Sequence, residues 1–200
     1  MDQSDTSGSW YTERLRSRPQ SVWKRVIPNP YRWNLRHMRL GRVLDVGCGV
    51  GRCLEFLDGN GIGVDHNPTS VDECRARGFE AYTPEAFALV DVGMFDTLLL
   101  SHVVEHLDPS SGVELVRSYL PYIRAGGRIV LITPQEAGQR SDPTHVTFVD
   151  GEVARSLLAS LRIPASRVRS FPFPRPIGRF FVHNETIAIG TLSSSRGMAD

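Results

Sequence analysis

From Arg42 onward the chain alternates short apolar runs with stretches of helical periodicity. RVLDV (42–46), GIGVD (61–65), EAYT (80–83), FDTLLLS (95–101) and GRIVLIT (127–133) are each followed by a cluster containing Gly, Pro, Asp or Asn. Such strand and helix alternation predicts a parallel sheet with helices on both faces and right-handed crossovers. The last third changes character. Residues 151–161 read as a helix, and RVRSFPF (167–173) and TIAIGTL (186–192) read as two strands joined by a Pro-rich, Gly-containing connection, a pair suited to close the sheet with an antiparallel edge. Before Arg42 the pattern predicts one or two helices interrupted at Pro28 and Pro30. The expected fold is therefore α/β, a doubly wound, mostly parallel seven-stranded sheet, with a helical extension over 1–41, one domain over 42–192 and a polar tail over 193–200. The polar, aperiodic ends carry the composition of disordered segments.

Length and composition narrow the class. A chain of 200 residues holds one domain with a sizeable core, and 40% hydrophobic with 22% charged residues is the makeup of a soluble globular protein. No apolar run approaches the roughly 20 residues that span a bilayer, and residues 1–10 lack a signal-like apolar stretch, so a cytoplasmic protein without a membrane partner is expected. Cys48, Cys53 and Cys74 form no CxxC pair and leave an odd count, which argues against a disulfide framework or a thiolate zinc site. A net charge of +1 gives no overall field for nucleic acid, which is not an expected partner. Between Glu13 and Arg42, however, Arg14, Arg16, Arg18, Lys24, Arg25, Arg32, Arg36 and Arg39 meet almost no acid, either as an anion-binding surface or as a solvated helical face. A homodimer is compatible with the sequence.

Asp45-Val46-Gly47-Cys48-Gly49-Val50-Gly51 follows the first strand and precedes the apolar run Cys53 to Leu57. Glycines allow the sharp turn and a close ligand approach, and the following helix offers unpaired N–H groups. A dinucleotide fingerprint wants a third glycine where this chain has Arg52, and its pyrophosphate would meet repulsion from Asp45. Asp45 suits instead a cofactor with a cationic end, such as the ammonium and sulfonium of S-adenosylmethionine (SAM). Asp65 closes the next strand, where a carboxylate can accept hydrogen bonds from both ribose hydroxyls. The alternative is that Asp45 caps its turn and Asp65 caps a helix after Pro68.

With these residues in view the chain resembles the class I SAM-dependent methyltransferases. VLDVGCGVG resembles their first motif, GVD their ribose-binding acid, FDTLLLSHVVEHL their fourth-strand motif, and LPYIRAGGRIVLITP the helix, turn and fifth strand that follow. The resemblance runs over about residues 42–135 and implies SAM as cofactor. It places Gly47, Gly49 and Asp65, with Asp45, Cys48 and His66 beside them, around SAM. Ser101 and His102 lie near its methionine part, and Thr83 and Glu85 lie near its adenine. Outside the resemblance, Pro30-Tyr31-Arg32-Trp33-Asn34 reads either as a lid over SAM, with Arg32 meeting the methionine carboxylate, or as packing alone.

After the fourth strand, His102, Glu105 and His106 stand at i, i+3 and i+4 and share one face if a helical turn begins at His102. His145 follows the fifth strand on the same expected edge. The four side chains suit a divalent metal, magnesium or manganese, with His145, His102 and Glu105 carrying the chemistry. A solitary histidine base, or histidines in purely structural roles, are the alternatives. The pattern is similar to that of the metal-dependent small-RNA 2′-O-methyltransferases, which carry Glu-x-x-Glu-His and a later His; His102 replaces the first Glu and makes the set softer. A hydroxyl acceptor needs such help because its proton must leave as its oxygen attacks. The segment from Phe171 to Glu185 mixes aromatic rings with Arg, Asn and Glu, a mixture that binds sugars or fills a core. The layout PYRWN, HVVEH, DPTHVTF and SFPFPR resembles methyltransferases of sugar hydroxyls, which implies an oligosaccharide or small-molecule acceptor. RNA and natural-product alcohols are alternative acceptors, and a non-enzymatic nucleotide-cofactor module is the alternative class.

Overall fold

The computed structural model describes residues 29–194. The expectations for the chain before Asn29, including the break at Pro28 and the basic residues Arg14 to Arg25, lie outside the described residues, as do those for 195–200. The described strands are β1 (Val43–Val46), β2 (Gly61–Val64), β3 (Ala81–Tyr82), β4 (Phe95–Ser101), β5 (Ile123–Pro134), β6 (Ala165–Phe171) and β7 (Glu185–Thr191). The helices are α1 (Pro30–His37), α2 (Arg52–Phe56), α3 (Pro68–Ala76), α4 (Pro84–Phe87), α5 (Pro109–Tyr119), α6 (Glu136–Arg140) and α7 (Gly151–Ser160). The strands form a mixed seven-stranded sheet in the order β3-β2-β1-β4-β5-β7-β6. Chain contacts gather into two compact units, Met1–Val92 and Gly93–Asp200.

In the first unit β1 pairs with β2 and β2 with β3, all parallel. Its packing centre is Cys48, Leu54, Val71, Cys74 and Ala81 with Phe79 against them, and all three cysteines are free. Prolines open helices here. Asn29, Asn67 and Thr83 cap α1, α3 and α4 with their side chains, and each cap is followed by Pro at the first helical position. Pro30 thus starts a helix, because the N–H it lacks is one the first turn would leave unbonded in any case. Asn67, not Asp65, is the cap of α3.

In the second unit β4 and β5 run parallel, and β7 pairs antiparallel with both β5 and β6, which is the antiparallel edge expected. Leu98, Leu99, Leu100, Ile129, Val130, Leu131, Ile187 and Ala188 are at most 1% exposed, the continuous apolar runs of strands covered on both faces. β5 starts earlier than its apolar pattern because Ile123 pairs with Phe95 before the register shifts to Thr97 and Arg128. β6 starts at Ala165 and stops at Phe171, ahead of Pro172, which has no N–H for the ladder. No described helix is long and apolar enough to cross a membrane.

Candidate functional site

The glycine turn after β1 is built on left-handed backbone, with φ of 76° at Gly47, 52° at Gly49 and 79° at Gly51. At Gly51 a Cβ would lie 2.7 Å from Cys74 Sγ, so only glycine lets the turn seat against α3. Asp65 holds the turn: its carboxylate accepts the Gly49 N–H at 2.8 Å and the Asn67 N–H at 2.9 Å, and each oxygen keeps acceptor capacity. Asp45 is 1% exposed and its Oδ2 has no hydrogen-bond partner among the described residues. Burial, and next the negative charge of Asp65, push its carboxyl up to about 7. A buried carboxylate facing a second carboxylate lacks a cation, and the orphaned oxygen therefore fits the ammonium end of a SAM-like ligand. Cys48 is buried and its thiol is pushed up by its hydrogen bond with Cys74, then by burial; it packs. His66 is exposed, 3.6 Å from Asp65 Oδ1.

The other cofactor candidates of this unit are placed differently. Thr83 Oγ1 accepts the Ala86 N–H as the cap of α4, and Glu85 on that helix is exposed. Arg32 pairs with Asp58 at 3.3 Å, and Arg36 pairs with the same carboxylate. The described part of the basic stretch is in this respect a set of paired surface cations, with Arg42 bonded to the Val92 carbonyl at 2.6 Å.

In the second unit Ser101 ends β4, half-buried. Beyond it the chain does not enter a helical turn at His102, whose φ is 59°; the turn is a 3-10 turn over Val104–His106. His102 consequently leaves the face it was expected to share with Glu105 and His106. Its Nδ1 lies 3.2 Å from Glu105 Oε1 and its Nε2 is 2.9 Å from Glu185 Oε1. Burial opposes its charge, but the two carboxylates overcome that and push it up to about 10. With both ring nitrogens turned to carboxylates, His102 has no lone pair for a metal or a proton.

Glu105, His106 and His145 do come together: one ligand atom from each lies within 4.8 Å of the others. Glu105 is fully buried, and neither of its carboxylate oxygens has a hydrogen-bond donor among the described residues, because the His102 contact is an ion-pair approach off the hydrogen-bond line. His106 Nδ1 is 3.1 Å from both the carbonyl and the hydroxyl of Thr144, and His145 Nδ1 is 3.1 Å from the Gln139 carbonyl. A carbonyl can only accept, so Nδ1 carries the proton in each ring and Nε2 keeps the lone pair. Burial, the largest influence, holds His145 below its ordinary pKa. The loop is fixed to the turn by Val146 and Thr147, whose N–H groups both donate to the Glu105 carbonyl at 2.8 and 3.0 Å. Thr144 and Gln139 were not singled out from the sequence, and Glu185 was read only within the aromatic and polar mixture of Phe171 to Glu185; the signal for its role here was a carboxylate opening an otherwise apolar strand.

These two sites sit on a chain whose residues 12–180 match a family model described as a methyltransferase domain, and the chain belongs to that family. It is 32% identical over 92 residues, 44% of its length, to the tRNA (carboxymethyluridine(34)-5-O)-methyltransferase alkbh8 of Xenopus tropicalis, of whose length it spans 15%. Its fold is similar to that of a SAM-dependent methyltransferase from Archaeoglobus fulgidus, with TM-score 0.64 and 22% identity over 80% of this chain and 92% of that one. It is also similar to the magnesium protoporphyrin IX methyltransferase of Synechocystis PCC 6803 with bound SAM, with TM-score 0.66 and 15% identity over 96% and 98% of the two chains.

Proposed function

We propose that this chain is a SAM-dependent O-methyltransferase acting on a sugar hydroxyl, such as that of a methylated mannoside. The observation that carries the reading is the donorless, buried Glu105 carboxylate beside two imidazoles with lone pairs on Nε2. SAM, when bound, supplies the methyl group on a cationic sulfur. Gly47 and Gly49 give its methionine part room at the backbone, Asp45 receives the ammonium, and Asp65 takes the ribose hydroxyls. An alcohol oxygen is a weak nucleophile, so the chain must also accept its proton, and of the two imidazoles His145, whose pKa burial lowers, is the base we assign to it.

Glu105, His106 and His145 also fit a divalent cation: one buried carboxylate and two imidazoles, both oriented by main-chain carbonyls, suit manganese better than magnesium. Such a cation, when bound, lowers the pKa of an acceptor hydroxyl. The exposed rings of Phe173 and Phe181, 5.4 Å apart with Phe181 also 5.6 Å from His183, support the sugar reading, since ring faces stack on sugars. A second reading, transfer to RNA, is favoured by the frog tRNA methyltransferase relative.

The test is transfer of labelled methyl from SAM to a short methylated mannoside and, in parallel, to bulk tRNA, with and without EDTA. Label in the mannoside that vanishes with EDTA and returns with manganese is expected. EDTA-insensitive label would remove the cation and leave His145 as base, and label in tRNA alone would replace the sugar reading by the second.

A further inference from the structure

Glu105 carries the chemistry proposed above, yet its own element gives it little support. It sits on the 3-10 turn Val104–His106, three residues long, and its carboxylate has no hydrogen-bond donor among the described residues. A working group must be held to within about 0.5 Å of its productive position, and that takes a second ring of contacts. Within ion-pair distance the Glu105 carboxylate meets one side chain among the described residues, His102, at 3.2 Å.

His102 is itself held in a conformation that a side chain with a Cβ seldom adopts. Its φ of 59° lies in the left-handed region, which persists only where the surroundings fix it. Two contacts do so. Its backbone N–H donates to the Ile132 carbonyl on β5 at 2.9 Å, and its ring Nε2 donates to Glu185 Oε1 at 2.9 Å.

Glu185, in contrast with Glu105, is rooted in the sheet. It opens β7 between Pro134 of β5 and Phe171 of β6. Its carbonyl accepts Gln135 Nε2 at 3.0 Å, and the fully buried Gln135 also donates to the Ser170 hydroxyl and accepts Asn184 Nδ2, each at 2.9 Å. The Glu185 side chain is 12% exposed, and Arg169 on β6 lies within its electrostatic reach. Its hydrogen bond goes to His102.

We infer that Glu185 is a positioning residue of the methyl-transfer site: through His102 it ties the Glu105 carboxylate, carried on a short turn, to the fixed start of β7, and so sets where Glu105 meets His106 and His145. The inference rests on the proposed function only in taking Glu105 as a working group.

The test uses the full chain at neutral pH, with Mn2+ alone as probe, followed by its electron paramagnetic resonance, and with the ring nitrogen resonances of His106 and His145 recorded without any ligand. Glu185→Asp keeps the charge and shortens the reach by one carbon; it should weaken Mn2+ about tenfold and move the ring resonances of both histidines. Glu185→Gln keeps the reach and an acceptor oxygen, and should stay within about threefold of wild type. His102→Gln breaks the chain in its middle, so adding Glu185→Asp to it should change Mn2+ affinity by less than about twofold, since effects that pass through one residue do not add. Ring resonances unmoved in Glu185→Asp, equal losses in the Asp and Gln variants, or losses that add in the double variant would overturn the assignment. A role in folding alone would lower the melting temperature without separating Gln from Asp. If the wild type takes up no Mn2+ and methylates no mannoside, the proposed function fails, and the ring resonances still decide on Glu185.

Discussion

Two buried carboxylates stand just where strands end in this chain, and their surroundings differ in one respect that decides what each can do. Asp45 on β1 faces another acid: burial and Asp65 raise its pKa to about 7, and its Oδ2 has no hydrogen-bond partner among the described residues. Glu105 after β4 is buried as deeply and is as short of hydrogen-bond donors, but its charged neighbour is the imidazole of His102 at 3.2 Å. The same cost of burial is thus left open at Asp45 and partly met at Glu105. Under the proposed function the first carboxylate receives the incoming cation. The second is already anchored on one side by His102 and turns its other side to His106 and His145, where an ion or an acceptor hydroxyl completes the group.

The comparison breaks most sharply at Glu105. Glu105→Gln keeps the shape and removes the charge, and turnover is expected to fall on the order of 10³-fold, with SAM affinity measured by calorimetry changed less than about twofold. Equal losses in both quantities would merge the two sites into one and end the contrast. His145→Ala comes next: a loss of roughly 10²-fold in turnover with SAM affinity nearly intact is expected if the imidazole takes the proton. Unchanged turnover would remove His145 from the chemistry.

Of these two sites the glycine turn was the more legible from sequence, for a local reason. Asp45, Gly47, Gly49 and Asp65 sit at strand ends that the apolar runs mark, and turn chemistry follows from neighbouring residues. The parallel strands followed from the same alternation and the antiparallel edge from the two strands of the last third, whereas the strand order was not read from the sequence. The histidine site was legible only in part. Glu105, His106 and His145 come together, whereas the offset arithmetic that included His102 assumed a helical turn beginning there, and the left-handed φ of 59° at that residue starts the turn two residues later. Glu185 holds His102 across 83 positions of sequence; a pairing set by β7 closing on β5 has no local signature. Arg32 was read toward a ligand because its partner Asp58, 26 positions away, is likewise invisible in the segment around it.

A smaller effect sharpens the Asp45 side. Asp45→Asn should weaken SAM roughly tenfold at pH 8, and wild-type affinity should fall as pH drops below about 7, where the carboxyl takes up its proton, while the variant stays flat. The unliganded protein should respond oppositely. A folded pKa raised from 3.8 to about 7 means stability is highest below pH 3.8 as far as this group goes and is lost as pH rises toward 7. The variant removes that loss, at most about 4 kcal/mol, and should melt higher than wild type at pH 8. A variant that melts lower and binds SAM normally would make Asp45 a structural residue.

The smallest expected effect lies at His102, where 43% of the side chain meets solvent and screens the pair. Its pKa is raised in the folded state to about 10 from 6.5, so the stability it lends is complete below pH 6.5 and disappears as pH climbs through about 10. Thermal melts of wild type and His102→Gln should therefore differ most near pH 6.5 and converge toward pH 10, the variant having no proton to lose. A constant gap across that range would mean that His102 acts by packing alone, and Glu105 would then be as unanswered as Asp45, which is the one result that makes the two carboxylates equivalent.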